Sequence, residues 1–428
     1  MTLPGAMSMV CRFPEKDTRR GQARKNRNTT EETIMSFSLS AQDAHEFAIT
    51  ELNLLNAARA LPDVDLEKSE LMPGTPIFDL NGEILFYRVP LEQADGQRGY
   101  VDIAAQSLFG ESILALAPDA EWNANAWLAQ AKSVFARRAR AARIADYDEL
   151  RFVAYSYPKI AVQFLLDGKE VALLELATWA AIPTAEKRRK GGEPGQFERW
   201  SLIAELPGKS KADAGKRFEL RAAGLRKALG QRVGAGDLFI SRDFLPATIA
   251  ISRLHDSQQL RYSNRAGDHA PCFELRGQET SVWCVGASVQ MLLDFYRYNY
   301  EQTRLAEELG LGTLADPNGL PYGDENKVPQ TLEKLTSSAL SAAMVATPTF
   351  SLHVNEIRAN RPLISFIPGH SRAVAGYTRS LFALAGSPGF SGLLVYDPWP
   401  PNAGVITRWE NFNTQTYRYA FTAHVNTV

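Results

Sequence analysis

Four residues in the last part of the chain have the types and the order that suit acyl transfer: Gln278, Cys284, His370 and Asp397. A thiol attacks a carbonyl only as the thiolate, so a catalytic cysteine needs a helix N-terminus or an imidazole beside it to lower its pKa. Cys284 follows Thr280 and Ser281, either of which suits a helix cap, and the apolar period then runs through Val285, Val289, Leu292 and Tyr296. The base must come from elsewhere in the fold. In IPGHSRAVAGY, His370 follows an apolar run and a Pro-Gly turn and opens the next apolar run. A third group should accept the other N–H of that imidazole. Asp397, closing LLVYD before a proline, is a carboxylate at a strand end. The oxyanion of a tetrahedral intermediate also needs donors. Gln278 lies six positions before the cysteine (284 − 278 = 6), where its side-chain amide would join the Cys284 backbone N–H.

Taken together, Gln278-x5-Cys284, a Gly-His370 pair leading into A-V-x-G-Y, and a strand ending in Asp397-Pro resemble the papain superfamily of cysteine peptidases. Trp283-Cys284-x-x-Ala287-Ser288 and the phrase V-x-D-P are similar to those of the bacteriocin-processing (double-glycine leader) peptidases and of related bacterial papain-like effector proteases. The resemblance implies Cys284 as nucleophile, His370 as base, Asp397 as its orienter and Gln278 in the oxyanion hole. It implies a protein or peptide substrate, and it calls for no cofactor and no metal. Two departures stand out. The signature C-G-[SA]-C-[WY] is absent, since Val282 and Trp283 precede the nucleophile and Val285 follows it. The orienter is Asp where papain-type enzymes use Asn. The same fold also houses members without hydrolytic activity, and the same triad serves deamidases and transferases acting on protein glutamine.

The totals fit a folded protein of two to three domains rather than a tail or a fibre. Hydrophobic residues make up 45% and charged residues 22%, and a net charge of −1 gives no global pull toward nucleic acid or membrane. Arg137, Arg138, Arg140 and Arg143 repeat along a helix but lack the interleaved aromatics of a nucleic-acid surface. The cysteines Cys11, Cys272 and Cys284 are too few for a disulfide framework and fit a reducing compartment. His269-x-x-Cys272 has metal-ligand spacing without a second pair nearby. The beginning shows no basic segment followed by a long apolar run, and Met35 offers an alternative start. The expectation is a cytoplasmic protein, or one exported without a classical signal peptide.

The elements that must position these residues give an α+β protein. Residues 1–40 are polar and basic, with no hydrophobic period, and read as a disordered tail. Residues 41–145 read as a helix capped by Ser40, short strands with an Asn81-Gly82 hairpin, and a second helix, a helix-plus-small-sheet domain weakly similar to a propeptide. Residues 146–262 form a mixed region with a hairpin at Asp167-Gly168 and an exposed, charged loop, AEKRRKGGEPGQ. Residues 263–428 form the papain-like domain, with helices at SVWCVGASVQMLLDFYRY, TRLAEELGLG and PQTLEKLTSSALSAAM followed by antiparallel strands. A turn-rich loop from Asp316 to Tyr322 would shape its cleft, and Trp399 and Trp409 would wall it. The upstream residues carry no constellation of their own, so an intramolecular restraint on the peptidase domain is expected of them.

Overall fold

The computed structural model describes residues 38–57, 60–61, 64, 66–142, 146–183, 198–206, 213–223, 255–260, 273–380 and 391–426. The expected basic tail and the charged loop at 185–196 lie outside the described residues, apart from 38–40, and so do Cys272 and His269. Helix α1 (Ala41–Ala57) starts where the sequence places it, because the Ser40 hydroxyl accepts the Asp43 N–H at 3.1 Å. It buries Phe47, Leu52 and Leu55 on one side. Strands β1 (Glu70–Leu71), β2 (Thr75–Phe78), β3 (Ile84–Glu92), β4 (Arg98–Ala104) and β5 (Ile113–Ala117) follow. Gly82, at φ 90°, turns β2 into β3. Helix α2 (Ala124–Ala142) buries Ala131, Val134 and Phe135. Phe135 stacks on Phe164, with ring centres 4.3 Å apart.

The run 151–166 is two strands rather than one apolar stretch. Strand β6 (Glu149–Ser156) turns at Tyr157-Pro158 into β7 (Lys159–Leu166), and Asp167 and Gly168, both at positive φ, turn β7 into β8 (Lys169–Glu175). Helices α3 (Leu202–Glu205) and α4 (213–223) complete this half.

After β9 (His255–Gln259) come α5 (Cys284–Phe295), α6 (Gln302–Leu309) and α7 (Lys327–Leu335). Here the structure corrects the sequence. PQTLEKLTSSALSAAM is a helix only to Leu335, and β10 (Leu340–Ala346) takes the remainder. Ser337 and Ser338 sit at φ 51° and 60°, which no helix tolerates, and LSAAMVA then pairs along its whole length with the last strand. Helix α8 (Phe350–Arg358) is followed by β11 (Leu363–Ile367), β12 (His370–Ser380), β13 (Ser391–Asp397), β14 (Val405–Asn411) and β15 (Tyr419–Val425). The fold is α+β, with helices followed by antiparallel strands in the C-terminal part.

The strands form one sheet in the order β10-β15-β11-β12-β13-β14-β5-β4-β3-β2-β6-β7-β8, with β1 added beside β3 and β9 beside β12. All pairs are antiparallel except β2 with β6. The join is short: Trp409 lies opposite Leu116 and Glu410 opposite Ala115. Side chains reinforce it. Trp409 is buried among Leu91, Val101, Ile113 and Leu116, so it is core rather than the expected cleft wall. A Cβ on Gly392 would fall 1.9 Å from the Trp409 ring nitrogen, so only glycine fits beneath that indole. Glu410 accepts hydrogen bonds from the two terminal guanidinium nitrogens of Arg372 on β12, and Tyr417 donates to it at 2.8 Å. The Thr378 hydroxyl donates to the Ala60 carbonyl at 2.7 Å, a second tie between the halves.

Trp409→Ala should therefore loosen both halves at once. Emptying a buried tryptophan site costs about 3–5 kcal/mol. Denaturant unfolding followed by tryptophan fluorescence and by circular dichroism should show one transition moved to lower denaturant. Two separated transitions in the variant, with one unmoved, would show that the join carries no such weight.

Candidate active site

Cys284 is the first residue of α5, and neither Thr280 nor Ser281 caps that helix. The N-cap is Trp283, whose indole has no acceptor for a helix N–H, and the Thr280 hydroxyl accepts the Val282 N–H at 3.3 Å. An uncapped helix start keeps its first backbone donors and its positive dipole end for whatever lies at the thiol. The helix is fixed from below. The Trp283 indole is fully buried and donates to the Leu311 carbonyl at 2.8 Å, and Val285, Val289, Leu292 and Leu293 face the same core. Ser288 donates to the Cys284 carbonyl at 2.8 Å and accepts the Ser371 hydroxyl at 2.9 Å. This links the helix to the strand that begins with His370.

His370 opens β12 opposite Ile367, across the turn made by Pro368 and Gly369. Gly369 has φ 65°. A Cβ there would also meet the Trp200 ring nitrogen at 2.9 Å and the Glu198 carboxylate at 3.2 Å, so the turn is packed tightly against the N-terminal half. The imidazole is buried. Its Nε2 lies 2.7 Å from Asp397 Oδ1, at the end of β13. The same carboxylate oxygen accepts the Trp399 backbone N–H at 2.8 Å, which fixes the carboxylate from the far side. Nδ1 has no hydrogen-bond partner of ordinary geometry, yet the imidazole and the Cys284 thiol shift each other's protonation.

The directions of those shifts are informative. Burial works to raise the thiol pKa, but the hydrogen bond and charge of His370, then the charge of Lys159 and the Ser371 backbone N–H, outweigh it and hold the thiol below its ordinary value. Burial works to lower the imidazole pKa, but the charge and hydrogen bond of Asp397, joined by Cys284, outweigh it and raise the group. A lowered thiol beside a raised imidazole is the condition for a thiolate–imidazolium pair.

Gln278 sits differently from the other three. It is fully buried and does not line the cavity that Cys284 and His370 share. Its Nε2 donates to the Thr280 carbonyl at 2.6 Å, and its Oε1 has no partner. Its backbone is laced to the loop after Asp397: the Gln278 N–H donates to the Pro398 carbonyl at 3.0 Å, and the Asn402 N–H donates to the Gln278 carbonyl at 2.8 Å. A Cβ on Gly277 would fall 2.4 Å from the Ala403 nitrogen, so glycine is what lets the two loops meet. Gln278 and Asp397 thus belong to one tied unit.

The half-buried thiol opens into a cavity. Gly319, Leu320, Pro321 and Tyr322 of the turn-rich loop line it, as do Val282, Val285, Phe366 and Tyr419. Ser156, Lys159 and Glu198 of the N-terminal half line it too. The Tyr322 hydroxyl donates to Glu198 across the opening. Sequence reading missed Lys159. Its only signal was the Tyr-Pro-Lys break inside an otherwise continuous apolar run. Trp399 lies beneath the Lys159 ammonium, 4.8 Å from ring centre to nitrogen, and does not line the cavity. Among the described residues no group of three or more His, Cys, Asp and Glu could hold a metal ion, and no helix is long and apolar enough to cross a membrane.

Asp397→Asn tests the electrostatics directly. Without the carboxylate, the imidazolium loses the charge that raises it and gives up its proton at lower pH. The thiol then loses its cationic neighbour and ionises only at higher pH. The rise of Cys284 alkylation by iodoacetamide with pH should move to higher pH in the variant. An unmoved profile would show that Asp397 does not sustain the imidazolium.

Comparison with known protein families finds a match in the same part of the chain. Residues 272–424 match the model of the Peptidase_C39 like family, a span that takes in Gln278, Cys284, His370 and Asp397. No curated protein matches the chain. The match supports a papain-like cysteine peptidase reading of residues 272–424.

Proposed function

We propose that the protein is a cysteine peptidase acting through Cys284, His370 and Asp397. The observation that carries this reading is the buried imidazole, clamped by Asp397 at 2.7 Å and coupled to a thiol at an uncapped helix N-terminus that opens into a cavity. In this mechanism the thiolate adds to the carbonyl carbon of a peptide bond. The negative charge moves to the carbonyl oxygen, which the Cys284 backbone N–H stabilises; the Gln278 amide joins it as second donor by turning from the Thr280 carbonyl toward the cavity. The imidazolium gives its proton to the leaving amine, and a thioester remains. His370, now neutral, takes a proton from water as the water attacks, which frees the acid and restores the thiolate. Asp397 keeps one imidazole tautomer in place throughout.

The N-terminal half has an intramolecular part in this reading. Ser156, Lys159 and Glu198 are cleft walls, which favours a half that completes the cleft and meets the substrate over the restraint expected from the sequence. Residues 260–428 expressed alone should therefore show lower turnover than the full chain, since β14 loses its partner β5 and the cleft loses a wall. Higher turnover in the fragment, suppressed by adding the N-terminal half in trans, would make that half a detachable inhibitor instead.

Cys284→Ala and His370→Ala should each lower peptide hydrolysis on the order of 10³-fold or more, because the pair acts as a unit. Gln278→Ala should cost about 10²-fold, the loss of one oxyanion donor. The measurement is the appearance of new peptide N-termini from a peptide library. Ammonia release from glutamine peptides, without new N-termini, would make the enzyme a deamidase on the same residues. Wild-type hydrolysis by Cys284→Ala would end the proposal.

A further inference from the structure

The cleft's charges divide into matched and unmatched. Arg418 is paired with Glu205 at 2.6 Å, and Glu198 accepts the Tyr322 hydroxyl. Lys159 is unmatched: among the described residues its ammonium makes no hydrogen bond or ion pair, and its contact is the face of Trp399. A ring face attracts a cation but accepts none of its N–H donors in the way a carboxylate does. Glu175, a buried acid that feels the Lys159 charge, is already committed to the Ala177 and Thr178 N–H groups and the Thr178 hydroxyl. Among the described residues Glu325, the remaining acid on the lining, makes no ion pair with Lys159.

The ammonium is also held in place. Lys159 begins β7 opposite Ser156, and between them Tyr157 is buried against Phe86, edge to face with ring centres 5.7 Å apart. The Trp200 N–H donates to the Tyr155 carbonyl at 2.9 Å, which pins the approach to the turn. A flexible lysine on a loose loop would swing into solvent. This one starts from a packed turn, rests on an indole, and faces the same cavity as Cys284.

We infer that Lys159 is a specificity-determining residue of this cleft, receiving a carboxylate of the substrate close to the carbonyl that Cys284 attacks. The carboxylate is either the C-terminal α-carboxylate of a peptide or an acidic side chain. Half-buried cation–carboxylate contact is strong enough to choose between substrates, because a charged partner there is far less screened than at the surface. The Lys159 charge also reaches the thiol itself. The inference rests on the peptidase reading only for the identity of the substrate.

A probe that needs no substrate separates the two. Iodoacetate and iodoacetamide both alkylate a thiolate, the sulfur–carbon bond forming as iodide leaves, and they differ in one carboxylate. The full-length protein should favour iodoacetate relative to a free thiol such as glutathione measured beside it. Lys159→Met should lower the iodoacetate-to-iodoacetamide rate ratio roughly fivefold to tenfold, and Lys159→Arg should retain most of it. A wild-type ratio no higher than that of glutathione overturns the inference without any variant. So does a ratio unchanged in Lys159→Met, or one that falls in Arg418→Gln alone. Matched peptides then assign the source. Free-acid against amide C-termini tests the α-carboxylate, and Glu against Gln tests the side chain. Equal cleavage of all four overturns the substrate role, whereas no cleavage of any, with the alkylation preference intact, overturns the peptidase reading and not the cation.

Discussion

A histidine buried away from water can remain a cation only where a carboxylate is held against it, and the His370–Asp397 contact has consequences through much of the C-terminal part. The carboxylate oxygen that meets the imidazole is itself oriented by the Trp399 N–H. That fixes the loop after β13, which in turn packs on Gly277 and Gln278. The segment leading into α5 is thereby tied to the loop that holds Asp397. Movement of any one of these pieces would displace the imidazole or the thiol relative to the other, and a shift of an ångström is enough to uncouple such a pair.

The same requirement, that a buried charge meet its partner in good geometry, recurs elsewhere in the fold. Arg372 stands two residues beyond His370 and is matched by Glu410 on β14, the strand that joins the two halves. Arg88 is matched by Asp102 through two bonds of 2.8 Å, and Arg221 by Glu51. Each such pair is costly to break, because the survivor stays buried without its countercharge. Their contribution is register more than net stability. Arg372 and Glu410 tie β12, which begins with His370, across β13 to the strand that carries the join.

Through that join, the N-terminal half becomes part of the cleft. The sheet runs without a break from β10 to β8, and the β6–β7 turn at its far end comes back to Cys284 with Lys159. A mobile cover would have little reason to bury Tyr157 or to pack Trp200 against Gly369, whereas a wall needs both. The opening over the thiol is thus bounded by several separate stretches of chain, among them the 319–322 loop, the β11–β12 turn, and the segments around Ser156 and around Glu198.

Local features of this protein are legible in its residues, because local chemistry determines them. Ser40 caps α1 and Asp167-Gly168 turns a hairpin since each needs only its neighbours in sequence. Cys284, His370 and Asp397 stand out in the same way, each at a recognisable strand or helix end. What depends on distant partners is not legible. LSAAMVA has the apolar content of a helix and becomes a strand because β15 is there to pair with it. The helix start at Cys284 looks capped in sequence, but Thr280 is drawn to Val282 and leaves the thiol at an open end. Trp409 could equally have faced the cleft, and the join with β5 makes it core. Lys159 carries no motif at all. Its place beside the thiol follows from a turn buried by Tyr157 and from a sheet that brings residues far apart in sequence to one cavity, and no local pattern encodes such a meeting.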